Sequence, residues 1–337
     1  MKVLLHTGNL KECEKSGVGQ VIKHQMRALD LAHVEYTTDI NDNFDIAHIN
    51  TVFPESLRLA KKIKQKGIKI IYHAHTTEED FRNSFKLSNE VAPLLKKWLI
   101  ACYKTSDLIL TPTEYSKGLL ENYNLEREIV PISNGIDINA YQRKDYIKSD
   151  FRKTYGYKEN DKVIMAVGLY IERKGILEFL ELARRCPEYK FIWFGYLKPS
   201  LVPIKIKEAM KNKTDNVTFA GFVDSEKLKE AYAGCDVYIF PTKEETEGMV
   251  LLEALAMKTK TIISDIPIYD NWLLDGVNIY KAKTVDEFES KIKGILNNEL
   301  EDLTEEGYKV ANDRDLKQIG YKLKKIYEYV LEKDLVK

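Results

Sequence analysis

One rhythm runs through the chain twice: a short apolar run of strand length, a helical pattern, then another such run. In the first half the runs fall at 2–6, 34–38, 45–49, 68–73, 108–111 and 128–132. In the second half they fall at 162–168, 189–195, 216–220, 236–240, 260–263 and 278–280. Between them, Val18, Val21, Ile22, Met26 and Leu29 recur at intervals of three and four, which makes one face of a helix. Leu57, Ala60 and Ile63 repeat the pattern more weakly, and further helical patterns lie at 175–185, 225–233, 248–257, 285–296 and 315–332. Strands alternating with helices build parallel sheets covered on both faces. The expected fold class is therefore α/β, with two doubly wound Rossmann-like domains. A length of 337 residues leaves room for two cores.

The stretch SNGIDINAYQRKD breaks the periodicity and marks the seam. The domains expected are 1–145, 146–315, and a C-terminal helical segment, 316–337, packing back towards the first domain. Two such domains side by side enclose a cleft. Open α/β sheets bind ligands beyond the carboxyl ends of their strands, so the loops after strands are where chemistry is expected.

Lysine plus arginine and aspartate plus glutamate both total 52. With no net charge and no recognition motif, nucleic acid is not an expected partner. Cys13, Cys102, Cys186 and Cys235 form no CxxC pair and no ligand spacing with the six histidines, so they read as reduced thiols of a cytoplasmic protein, with no metal site. No apolar run approaches the roughly 18–20 residues of a membrane span, and the start of the chain lacks the apolar region of a signal peptide.

Four loops stand out. KSGVGQ precedes a helix, and Gly17 and Gly19 remove side chains where an anion can approach free amides; a flexible turn has the same composition. YHAHTTEEDF places His75 at the carboxyl end of the fourth strand, suited to a sugar hydroxyl or phosphate oxygen, or to a structural bond with backbone. GLYIERKG puts Arg173 and Lys174 in one strand-to-helix turn. A guanidinium fork and a compact ammonium together suit a diphosphate, at roughly 1.5–3 kcal/mol for each charge-assisted bond; a solvated basic turn is the alternative. The last is ETEGMVLLEALA. Gly248 permits a tight entry into a helix whose apolar residues cover nearly every face, so Glu253 is at least partly buried. A buried carboxylate needs donors, which the vicinal hydroxyls of a ribose supply; a lysine or arginine partner is the alternative. Glu245 faces another part of the same ligand, while the amides of Gly248, Met249 and Val250 meet phosphate.

Taken together, the Glu-x7-Glu pattern of ETEGMVLLEALA, with ISNGID, GLYIERKG, SGVG and the strand-end histidine in the same order, resembles the retaining glycosyltransferases of family four. The resemblance spans nearly the whole chain. It implies the GT-B fold, two Rossmann-like domains facing a central cleft, with the acceptor on the first and the nucleotide sugar on the second. It also implies that Glu245 contacts hydroxyls of the donated sugar, Glu253 the ribose, Arg173, Lys174 and Gly17 the diphosphate, and His75 the reacting sugar. Two positions depart from the family: Leu169 stands where many members have arginine, so Arg173 takes over that charge, and Glu247 where an aromatic is frequent. The donor implied is a UDP-sugar, UDP-glucose or UDP-galactose, used without a metal.

Residues 58 to 104 carry a local excess of seven positive charges. In PLLKKWLIACYK, Val91, Leu94, Leu95, Trp98, Leu99 and Cys102 are expected on one helix face and Lys96, Lys97 and Lys104 on the other. Such a helix can lie on an anionic membrane, with Lys96, Lys97 and Trp98 as contacts, or simply pack on its sheet. KSGVGQVIKHQMRALD, HAHTTEEDF and FPTKEETEGMVLLEALA look most like the bacterial enzymes that extend glucosyldiacylglycerol to a diglycosyl lipid. That resemblance implies a hexosyltransferase at the inner face of the cell membrane with a glycolipid acceptor. A saccharide acceptor of capsule or wall assembly, and a non-catalytic nucleotide-sugar-binding protein, are the competing expectations.

Overall fold

The computed structural model describes residues 1–8, 17–84, 88–143, 146 and 148–333. The chain divides into two compact units: Met1–Asp80, Glu90–Asp137 and Arg314–Lys337 in the first, Phe81–Asn89 and Ile138–Asp313 in the second.

The first unit holds β1 (Lys2–His6), β2 (Glu35–Thr37), β3 (Ile46–Ile49), β4 (Lys69–His73), β5 (Leu108–Thr111) and β6 (Glu128–Pro131). They form one sheet in the order β2-β1-β3-β4-β5-β6, parallel at every pairing. The second unit repeats the plan with β7 (Val163–Val167), β8 (Lys190–Phe194), β9 (Val217–Gly221), β10 (Val237–Phe240), β11 (Thr261–Ser264) and β12 (Tyr280–Ala282). Their order is β12-β11-β10-β7-β8-β9, again parallel throughout. The expected α/β class holds, and every expected strand is present. Central strands such as VIMAV are buried at each position, because helices cover both faces of a parallel sheet.

Helices are set by local chemistry. Thr113 caps the Glu114–Glu121 helix through a reciprocal pair of bonds with Ser116, and the Asp224 side chain caps Ser225–Gly234. The Leu316–Glu332 helix belongs to the first unit. It buries Leu316, Ile319, Leu323, Tyr327 and Val330 with Val3, Leu5, Ala28 and Leu29. Gly320 lets it approach the Gly17–Leu31 helix closely: a Cβ there would lie 2.0 Å from the Ala28 carbonyl oxygen.

The Ser88–Tyr103 helix corrects the expected faces. Ala92, Leu99, Cys102 and Tyr103 are buried, whereas Val91 and Leu94 are exposed, Leu94 by 66%. Lys96 reaches inward to Glu78 at 3.3 Å and over the Tyr123 ring at 4.3 Å. Trp98 packs partly against the core and donates its indole N–H to the Val52 carbonyl at 2.7 Å. A half-buried indole needs such an acceptor, and a lysine stem covers apolar surface while its head finds a carboxylate, so both side chains turn towards the sheet. The outward stripe is Val91, Leu94, Lys97, Ala101 and Lys104.

Candidate active site

In the second unit β7 and β10 are neighbours, so the loops after them emerge at the same end of the sheet. One carries Arg173 and Lys174, the other Glu245. The structure brings the three together. The Lys174 ammonium donates to Glu245 Oε1, the Arg173 guanidinium lies 3.8 Å from that oxygen, and the Thr242 hydroxyl donates to it at 2.9 Å. Arg173 is further fixed by the Glu244 carbonyl at 2.6 Å and by Ser84 at 3.1 Å. Burial pushes the Glu245 carboxyl up, but the Lys174 and Arg173 charges outweigh it and hold the group below its ordinary value. The pair of cations is thus not a solvated basic turn. One of its two charges is balanced in place by the glutamate expected to read the sugar. Glu245 Oε2 makes no hydrogen bond with any described residue.

Gly248 has φ +92°, and a Cβ there would press within 3.0 Å of the Phe240 ring. Glycine is therefore required at this turn. It delivers the chain into the Met249–Ala256 helix, whose Leu251 and Leu252 amides both bond back to the Gly248 carbonyl. The Met249 and Val250 amides precede the first helical bond, and neither donates to a described residue.

Glu253 sits half-buried on that helix, with no lysine or arginine within salt-bridge distance among the described residues. Its donors are two phenols, Tyr141 at 3.0 Å and Tyr232 at 3.2 Å. Burial pushes its carboxyl up to about 7, against the pull of the two hydroxyls and, more remotely, of Lys229. Sequence reasoning asked for donors and missed these, because Tyr141 is 112 residues away and Tyr232 lies 21 residues upstream on another helix.

In the first unit, β3 and β4 are paired, and Asn50 and His75 lie just beyond their ends. His75 is buried; its Nε2 meets Asn50 Oδ1 at 2.9 Å, and its ring stacks on His73 at 4.1 Å between centroids. Burial holds its imidazole at about 3, so the ring is neutral and can both donate and accept. Its side-chain partner is Asn50, not the backbone. Gly17 is the exposed first residue of its helix; the residues before it in KSGVGQ, and Cys13, lie outside the described residues. Cys102, Cys186 and Cys235 are buried free thiols, each pushed up by burial.

Two family descriptions match, "Glycosyltransferase Family 4" over residues 17–140 and "Glycosyl transferases group 1" over residues 147–310. A protein of Acholeplasma laidlawii named processive diacylglycerol alpha-glucosyltransferase is 40% identical over 333 residues, which are 98% of this chain and 99% of that protein. The chain belongs to the family 4 glycosyltransferases. A second relative, the alpha-galactosylglucosyldiacylglycerol synthase of Streptococcus pneumoniae, is 24% identical over 80% of this chain and 74% of its own length. Among solved structures, Anabaena HepE in complex with UDP and glucose superposes with a TM-score of 0.74 at 16% identity, over 98% of this chain and 100% of that one. That likeness bears on the fold, which is the GT-B glycosyltransferase type.

Proposed function

We propose that this glycosyltransferase moves a hexose from a UDP-sugar to a diacylglycerol-based glycolipid, such as glucosyldiacylglycerol, with retention of anomeric configuration. The observation that carries the reading is end-to-end identity of 40% with a protein named for glucosyl transfer to diacylglycerol. The second relative, named for a galactosylglucosyl lipid, supports the acceptor class and keeps both glucose and galactose in play as the sugar moved.

In this reading the second unit binds the donor and the first the acceptor. The diphosphate draws Arg173 and Lys174 away from Glu245, and the freed carboxylate accepts hydroxyls of the sugar, beginning at the unengaged Oε2. The Met249 and Val250 amides add donors to the phosphates, and Glu253 accepts from the ribose. Cationic and amide donors that stabilise the departing diphosphate lower the barrier more than they stabilise the bound substrate. The leaving phosphate oxygen takes the acceptor hydroxyl's proton, and no side chain is assigned as a covalent nucleophile. Gly17 and His75 keep the roles given by the family pattern, and no metal is assigned a step. The competing readings, a wall or capsule saccharide acceptor and a binding protein without turnover, are separated by one assay. Purified protein is given labelled UDP-glucose or UDP-galactose with vesicles containing diacylglycerol or its monoglucosyl derivative, or with soluble saccharides. Label is expected in an organic-soluble glycolipid with an α linkage. Label found only in soluble saccharide, or no turnover at all, refutes the acceptor.

No described helix is long and apolar enough to cross a membrane. The proposed contact with the inner, anionic face of the cell membrane is the outward stripe of Val91, Leu94, Lys97, Ala101 and Lys104. Inserting a leucine while lysines sit over anionic head groups combines apolar burial with attraction. Leu94→Glu is expected to weaken binding to anionic vesicles roughly tenfold, since a leucine side chain contributes about 1.5–3 kcal/mol on burial. Vesicle sedimentation checks this; unchanged binding would show that the membrane meets another face.

A further inference from the structure

Behind His75 the first unit buries more histidine than packing requires. His48, on β3, and His73, at the end of β4, are 0% and 2% exposed. The His48, His73 and His75 rings form a column, with centroids 5.4 Å apart for the first pair and 4.1 Å for the second, tilted by 8° and 15°. The column ends on Tyr327 of the Leu316–Glu332 helix, whose hydroxyl lies 2.7 Å from His48 Nδ1. Gln25, from the Gly17–Leu31 helix, approaches His73 Nδ1 with its amide nitrogen at 2.8 Å, and His48 Nε2 lies 3.2 Å from the same atom.

These contacts tie each ring's tautomer to its neighbour's. Where the Gln25 amide donates, His73 Nδ1 accepts and the His73 proton sits on Nε2. His73 Nδ1 then has one lone pair for both Gln25 and His48 Nε2; with the amide turned over, Nδ1 is protonated and donates to Gln25 Oε1 instead, and His48 donates from Nδ1 to the Tyr327 oxygen. His73 Nε2, Gln25 Oε1 and Asn50 Nδ2 are buried without a hydrogen bond to any described residue. A purely structural core would fill these places with apolar side chains, since buried polar groups left unsatisfied are costly. Their retention beside His75 is what a fixed functional ring requires.

We propose that Tyr327, His48, His73 and Gln25 are positioning residues that fix the ring plane and proton arrangement behind His75, and so its hydrogen bonding to the transferred sugar. The inference rests on the reading of His75 as a sugar-contacting residue. Tyr327→Phe removes one hydroxyl and keeps the ring that packs the core; Gln25→Met removes the amide at similar length. Each is expected to lower kcat for glycosyl transfer roughly tenfold, the size of effect that follows from small misplacement of a reacting group. The KM for the UDP-sugar should stay within about twofold, because the donor's nucleotide end is held elsewhere. In protein labelled with nitrogen-15 histidine, the wild-type spectrum should show neutral His48 and His73, each held in a single tautomer, and Tyr327→Phe should disturb His48. Unchanged kcat in both variants, or a fall in kcat matched by a proportionate fall in thermal midpoint, overturns the proposal. So does a wild-type spectrum in which His48 and His73 each average between the two tautomers. Failure of the underlying reading looks different: His75→Ala would keep full transfer while the nitrogen spectrum still showed the predicted column.

Discussion

Replacing Glu245 with alanine is expected to cut glycosyl transfer on the order of 1,000-fold while leaving UDP itself bound as well as before, or better. The two halves of this result come from one geometry. In the free protein the Glu245 carboxylate is the internal counter-ion of Lys174 and Arg173. Without it the cations meet the diphosphate with no competitor, so UDP does not lose affinity. The sugar loses its acceptor, and an interaction that acts on the reacting ring is lost from the transition state. The same change leaves two largely buried cations without their carboxylate, and breaking a buried pair from one side costs about 3–5 kcal/mol. Glu245→Gln is therefore the companion variant: it keeps the size and one acceptor for Thr242. Titration calorimetry with UDP, beside steady-state transfer, reads both halves. A loss of UDP affinity that parallels the loss of transfer would mean that the glutamate organises the phosphate site and does not read the sugar.

The second large effect depends on pH. The Glu253 carboxyl of the free protein lies at about 7, above the ordinary glutamate value of 4.5, with burial as the main cause. The folded state therefore holds this proton more tightly than the unfolded chain. Its contribution to stability is fully present below about pH 4.5 and is lost as the pH rises through about 7. Relative to wild type, Glu253→Gln should gain little at pH 4.5 and on the order of 1–3 kcal/mol at pH 8, measured by denaturant unfolding without ligand. Binding runs the other way. Two ribose hydroxyls donate best to a charged acceptor, so wild-type affinity for UDP should climb between pH 6 and pH 8 by roughly tenfold and then level off. Glu253→Gln should bind UDP more weakly at pH 8 and lose this climb. A pH-independent affinity in the wild type would remove Glu253 from the ribose.

The strands were legible because a strand buried on both faces must be a short β-branched or aromatic run, and such runs punctuate the whole sequence. The helices at Lys148–Tyr155 and Ile204–Lys211 were not read, since the first buries only Phe151 and Arg152 and the second only Ile206, too few to set a period. The candidate site was legible as residue types but not as pairings. Lys174 and Glu245 are 71 residues apart, and their union follows from β7 lying beside β10, which no local pattern encodes. For the same reason both the Tyr141 and Tyr232 hydroxyls on Glu253 went unseen. On the Ser88–Tyr103 helix, periodicity gave the right element and set Trp98, Leu99 and Cys102 towards the sheet, but gave the wrong exposure for Val91, Leu94 and Lys96, the lysine finding Glu78 and the Tyr123 ring on the inner side. The histidine column left a trace that was available: His48 and His73 both fall near the ends of adjacent strands.

The Leu316–Glu332 helix has a further consequence for how such a chain is made. It seals the sheet that contains β1, yet it leaves the ribosome only after the whole of the second unit has been synthesised. Until then the nascent polypeptide carries an open flank where Ile319 and Leu323 will seat, and the imidazole of His48 faces no phenol. Completion of the first unit thereby waits until the second unit has been made. Quality-control factors that recognise bare apolar surface have a window on this protein for as long as its second half is still being made.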